Sequence, residues 1–128
     1  DVWNNVDFGN ISNKRRSNYK HLIKFLHIPE ITVPLAELGD DVVPLYFPIL
    51  LRNSIVRDEL QKYLISFNIY CPIIWGKPTA ITQESDYNLL YDMILCIPVD
   101  QRYTENDMQI VINLIKSFFE IWRLRHKK

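Results

Sequence analysis

Three short apolar runs dominate this sequence: residues 45–51 (LYFPILL), 69–75 (IYCPIIW) and 94–99 (ILCIPV), each interrupted by a proline. Runs of that length, rich in branched and aromatic side chains, suit strands and are too short for helices. Pro48 lacks a ladder donor, which places its run at a sheet edge or beside a bulge. Gly76 and Pro78 end the second run. The stretches between and after the runs carry a different periodicity. Over 54–67, Val56, Leu60, Tyr63, Leu64 and Phe67 share one helical face. Asn53 or Ser54 suits the N-cap, Asp58 and Glu59 suit the positive end of the helix dipole, and Asn68 suits a left-handed stop. A short helix is expected over 84–93, carrying Tyr87, Leu90 and Tyr91. The last helix is expected over 105–124, opened by a Thr104/Asp107 capping signal. Met108, Val111, Ile112, Ile115, Phe119 and Trp122 form its buried stripe. Ile110, Leu114, Phe118 and Ile121 widen the apolar surface, and such a helix is often covered on more than one side.

Ahead of this pattern, Tyr19, Leu22, Ile23 and Leu26 predict a helix over 11–27, capped by Ser12 or Asn13 and stopped by Pro29. Its other face holds Lys14, Arg15, Lys20 and Lys24. Residues 28–44, with Pro29, Pro34, Gly39 and Pro44, are long for a loop in a compact domain. They are expected to run extended across another surface, one supplied by a missing part of the protein. The 128 residues therefore read as one domain. A leading helix (1–27) and an extended connector (28–44) precede a β-α-β-α-β-α core (45–128). The expected fold is an α+β sandwich, with a small, mainly antiparallel three-stranded sheet and helices packed on one face.

Charge and cysteine content exclude several function classes. The chain has 15 Lys plus Arg and 15 Asp plus Glu, without the net basic footprint of a nucleic-acid binder. The basic run from Arg123 to Lys128 suits a helix C-terminus. Cys71 and Cys96 sit in apolar runs and read as buried free thiols, which suits a reducing cytosol and a cytoplasmic protein. No apolar stretch approaches the ~20 residues needed to span a bilayer, so neither nucleic acid nor membrane is an expected partner. The polar start, DVWNNVDFGN, carries no initiator Met and no signal peptide, and reads as a cut-out piece of a longer chain.

No complete catalytic apparatus is visible. Gly9, Gly39 and Gly76 form no phosphate-binding loop. His21, His27 and His126 have no metal spacing, so no metal site is expected. Ser54, Ser66, Ser85 and Ser117 lie in no nucleophile elbow. Asp86 and Asp92 read as solvated helix charges, and no catalytic residue is assigned. Two loops follow strands: Trp75-Gly76-Lys77-Pro78 and Asp100-Gln101-Arg102-Tyr103. Binding groups often sit on loops presented by a rigid scaffold. Trp75 offers a flat apolar face, and Lys77 or Arg102 a cation for an anionic group. The structural alternative is that Trp75 packs in the core and Arg102 pairs with Asp100 or a helix end.

Four segments in order resemble the C-terminal small domain of fold-type I, pyridoxal phosphate-dependent aminotransferases, in particular the DegT/StrS sugar aminotransferases. NKRRSNYKHLIKFL resembles that group's R-x-x-N-Y-x-x-L helix. VPLYFPILLRNSIVRDELQKYL resembles its strand followed by an N-R-D-x-L helix. NIYCPIIWGKP resembles its next strand and loop, with Ile74 where the group often carries His. ILCIPVDQRYTENDMQIVINLI resembles its L-S-L-P … T-x-x-D/E-M ending. The resemblance implies a large N-terminal domain of the same chain that holds the Schiff-base lysine and most cofactor contacts, within a homodimer. Pyridoxal phosphate would belong to the full-length protein and not to this segment alone. The segment would close one side of the substrate cleft and contribute to substrate choice, with Trp75, Lys77 and Arg102 facing that cleft. The competing reading from the residues is a stand-alone α+β domain that binds or senses a small molecule.

Overall fold

A computed structural model describes residues 8–73 and 92–126. In chain order these form α1 (Phe8–Phe25), β1 (Tyr46–Leu50), α2 (Ser54–Ile65), β2 (Ile94–Pro98) and α3 (Glu105–Arg125). β1 and β2 pair antiparallel, from Tyr46 opposite Pro98 to Leu50 opposite Ile94. Because side chains alternate across a strand, Phe47, Ile49, Leu95 and Ile97 share one face. They join Leu22, Leu60, Leu64, Ile112, Ile115 and Phe119 in the core. The class is the α+β arrangement expected from the sequence.

The strand count differs from expectation. Among the described residues the sheet has two strands, and residues 69–73 form none. The Cys96 N–H donates to the Pro72 carbonyl at 3.0 Å, and Pro72 has no N–H of its own to offer a ladder. Residues 74–75 of that run and most of the expected 84–93 helix lie outside the described residues; residues 92–93 are helical. On the far side of β1, Thr32 and Leu50 exchange backbone bonds of 3.0 and 2.8 Å. Leu50 therefore faces away from β2, and so does Pro48 two residues earlier. The missing proline donor falls on the outer edge, where no β2 carbonyl waits for it.

α1 starts at Phe8, a turn earlier than the periodicity predicts. Ser12 and Asn13 consequently lie inside the helix and cap nothing. The half-buried Ile11 extends the stripe of Asn18 and Leu22 one further turn toward the N-terminus. In α2 the Asn53 Oδ1 accepts from the Val56 N–H at 3.0 Å. Asn68 adopts φ 64°, the left-handed stop the sequence indicates. Phe67 departs from the buried stripe that the periodicity predicts and is 50% exposed, because α2 has already ended at Ile65. Asp58 and Glu59 also fall beyond the first turn of α2, which contains no acid. In α3 the capping box is complete, with Thr104 N–H donating to Asp107 Oδ2 at 2.8 Å and Asp107 N–H to Thr104 Oγ1 at 3.2 Å. Met108, Val111, Ile112, Ile115, Phe118 and Phe119 are buried, whereas Ile110, Ile121 and Leu124 remain exposed.

Residues 28–44 lie across this same domain. Tyr19 Oη donates to the Leu35 carbonyl at 2.6 Å. Arg16 Nη1 donates to the carbonyls of Gly39 and Val42 at 2.8 and 2.6 Å. Glu30 pairs with Arg123 through two 2.6 Å contacts. The surface beneath the connector is thus supplied by α1, β1 and α3.

Candidate functional site

The turn from Asp100 to Tyr103 joins β2 to α3, and its shape is set from within and from α1. Inside the turn, Asp100 Oδ1 accepts from the Arg102 N–H and the Asp100 carbonyl from the Tyr103 N–H, both at 3.0 Å. From α1, the Asn18 amide donates to the carbonyls of Val99, Asp100 and Tyr103 at 3.0, 3.3 and 3.0 Å. Arg15 Nε donates to Gln101 Oε1 at 2.8 Å. Asn18 is 1% exposed. A buried amide survives in a core only when it is hydrogen-bonded, and here its partners are three carbonyls of the turn, one of which, that of Asp100, also accepts from the Tyr103 N–H.

Arg102 both pairs and projects. Its Nε and Nη2 grip the two Asp100 oxygens at 3.0 and 2.9 Å. Yet the Arg102 side chain is 74% exposed while that of Asp100 is 9% exposed. The guanidinium also lies 5.6 Å from the centroid of the Tyr103 ring. The fork-on-fork geometry holds the Asp100 carboxyl below its ordinary range, chiefly through the Arg102 hydrogen bonds. The same pair holds the guanidinium proton more tightly than usual. Because the folded-state value of Asp100 is depressed, its contribution is present above the unfolded pKa and is lost as pH falls through the folded one. Asp100→Asn is therefore expected to cost about 1 kcal/mol at neutral pH. Urea titrations should show that difference shrinking below about pH 4; a difference constant down to pH 2 would mean the pair contributes nothing.

Arg102 and Tyr103 line an open groove of about 440 Å³ together with Tyr46, Gln61, Tyr70 and Cys71. Gln61 Nε2 donates to the Cys71 carbonyl at 2.9 Å and ties segment 69–73 to α2. Cys71 and Cys96 are both buried and neither is in a disulfide, as the sequence indicated. Burial pushes the Cys71 thiol up to about 12, so it stays protonated and is a poor nucleophile. The groove can offer phenol rings, an amide and an oriented guanidinium, a set suited to binding and not to bond breaking.

Of the residues singled out from the sequence, Arg102 stands at the groove. Its pairing with Asp100, the structural alternative, is also present. Trp75 and Lys77 lie outside the described residues. Arg15 and Asn18 enter the sequence reading as the Arg and Asn of the R-x-x-N-Y-x-x-L match, but their role in shaping the 100–103 turn is not legible there. The available signal was a polar residue on the apolar side of α1, four positions before Leu22. Among the described residues no three His, Cys, Asp or Glu side chains converge as a metal site would require. No helix there is long and apolar enough to cross a membrane.

No family model and no curated protein matches this sequence. Solved structures do. The aminotransferase TlmJ from Streptoalloteichus hindustanus is 14% identical with a TM-score of 0.76, over 89% of this chain and 33% of that one. A DegT DnrJ EryC1 StrS aminotransferase from Brucella abortus is 20% identical with a TM-score of 0.55, over 86% and 30%. NtdA from Bacillus subtilis, solved with the bound cofactor PMP, is 19% identical with a TM-score of 0.55, over 84% and 28%. The chain thus spans about a third of the length of the aminotransferases it matches, and what it shares with that part of them is the fold.

Proposed function

We propose that this chain is the C-terminal small domain of a pyridoxal phosphate-dependent aminotransferase of the DegT/StrS type, closing one side of its substrate cleft and contributing to substrate choice. The observation that carries the reading is the fold likeness to TlmJ, which takes in 89% of this chain but only 33% of that enzyme. The ordered sequence motifs support it independently.

The described residues do not fit the cofactor itself. A lysine that forms a Schiff base works desolvated or beside another cation, and Lys14, Lys20, Lys24, Lys62 and Lys116 are all exposed. The cofactor would supply the electron sink for amino-group transfer and would sit on the large domain of the same chain, in a homodimer. The contribution of this domain would be orientation. Arg102, already aimed by Asp100, keeps N–H donors for an anionic or hydroxyl-bearing substrate group. The rings of Tyr46, Tyr70 and Tyr103 cover apolar substrate surface and exclude water when the groove closes against its neighbour.

The full-length protein is expected to bind pyridoxal phosphate with a visible absorbance that disappears when the lysine of its large domain is replaced. Arg102→Ala should leave that absorbance intact and raise KM about tenfold, from loss of one charge-assisted hydrogen bond. A full-length protein that stays colourless with the cofactor would overturn the assignment. Unchanged KM and kcat in Arg102→Ala would remove Arg102 from the cleft.

A further inference from the structure

α1 carries Lys14, Arg15, Arg16, Lys20 and Lys24 and no Asp or Glu along its 18 residues. The chain as a whole is balanced, with 15 basic and 15 acidic residues, so the two signs are segregated. At helical spacing the apolar side of α1 turns inward with Asn18, Tyr19, Leu22 and Leu26. The opposite arc presents Asn13, Lys14, Ser17, Lys20 and Lys24, all exposed. It contains neither a carboxylate nor an aliphatic side chain. Among the described residues no carboxylate pairs with Lys14, Lys20 or Lys24.

The neighbouring helix extends this surface. Arg15 reaches Gln101 and His21 reaches Gln109 at 2.8 Å, so α1 and α3 run side by side in the same direction. Gln109 in turn donates to Asn113 at 3.0 Å, and Lys116 follows one turn on, exposed. Amides and ammonium groups thus lie side by side on two neighbouring helices, and the strip ends where Glu120 stands one turn beyond Lys116. Exposed lysines are usually only solvated, but a helix face without one compensating carboxylate repels itself at i, i+4 spacing, as with Lys20 and Lys24. That cost is relieved when an anionic surface is brought against it.

We propose that this strip docks an acidic segment of a partner protein. Two features favour carboxylates over a phosphate backbone. Across the chain basic and acidic residues cancel, 15 to 15, so the basic arc is local to one helix face. The α1 arginines, the side chains best shaped for phosphate, are already engaged, Arg15 by Gln101 and Arg16 by the carbonyls of Gly39 and Val42. A lipid surface would call for several apolar side chains beside the lysines; α1 offers beside them Phe25, 41% exposed, whose ring is flanked by His21 at 4.6 Å and Lys24 at 5.2 Å.

The test is fluorescence anisotropy with labelled poly-L-glutamate, read against duplex DNA and phosphatidylserine vesicles. Binding should fall with added salt, and Lys20→Glu should weaken it severalfold while Lys62→Glu on α2 leaves it unchanged. The triple variant Lys14→Gln, Lys20→Gln, Lys24→Gln should weaken it about tenfold, and the matching triple change to Arg should restore it, with far-UV circular dichroism confirming the fold of each. Absence of polyglutamate binding, equal losses in Lys20→Glu and Lys62→Glu, or tighter binding of DNA or vesicles than of polyglutamate would each overturn the proposal.

Discussion

A Phe119→Ala chain is expected to lose about 3–5 kcal/mol of folding stability, the range for deleting a fully buried aromatic side chain. Phe119 is 0% exposed and packs edge-on against Phe118 at 5.0 Å and Trp122 at 5.9 Å. Those rings are held on the same helix and cannot collapse far into the vacated space. A domain of this size has about 5–15 kcal/mol of stability in total, so the variant should approach global unfolding at moderate urea. Phe67→Ala provides the contrast. It removes the same ring from a half-exposed position after the end of α2, and should cost less than about 1 kcal/mol. Equal losses in the two variants would show that the core is not where α3 places it.

The second large effect is expected at Asn18. Asn18→Ala removes the one side chain that donates to the carbonyls of Val99, Asp100 and Tyr103. Leaving the Val99 and Tyr103 carbonyls without that donor should cost about 3 kcal/mol, while the Asp100 carbonyl keeps the Tyr103 N–H. Asn18→Asp keeps the volume but points a carboxylate at three carbonyl oxygens, and should destabilise at least as much. Hydrogen exchange should show the loss concentrated in the 99–103 turn, since α1 keeps its apolar contacts through Leu22 and Leu26. If Asn18→Asp proved as stable as the parent, the amide would not be the clamp that these distances describe.

The Asn18 clamp also marks where reading from sequence stops. A turn such as Asp100-Gln101-Arg102-Tyr103 can be flagged because it follows a strand and carries an arginine. Which element shapes it cannot be read locally, for Asn18 lies 82 residues from Asp100. The Arg102 direction is a compromise between Asp100, Tyr103 and solvent, and each of those terms depends on how deep the turn is buried. The segment at Pro72 teaches the same lesson. Composition marks it as a strand, but a strand is a pairing, and Pro72 has no N–H to contribute to one.

Local chemistry was enough to determine several features of this protein: the Asn53 cap and the Asn68 stop around α2, the Thr104/Asp107 box that opens α3, the burial of both cysteines and the α+β class. Each depends on interactions within a few residues or on a periodicity that one segment carries by itself. The tertiary structure alone decided the pairing of two strands among the described residues, the folding of the 28–44 connector back onto α1, β1 and α3, the exposure of Phe67, and the meeting of Arg102 with Tyr46, Gln61, Tyr70 and Cys71 around one groove. Those outcomes depend on groups far apart in sequence competing for the same buried space and the same hydrogen bonds. The energies of such contacts exist only once the chain has closed on itself.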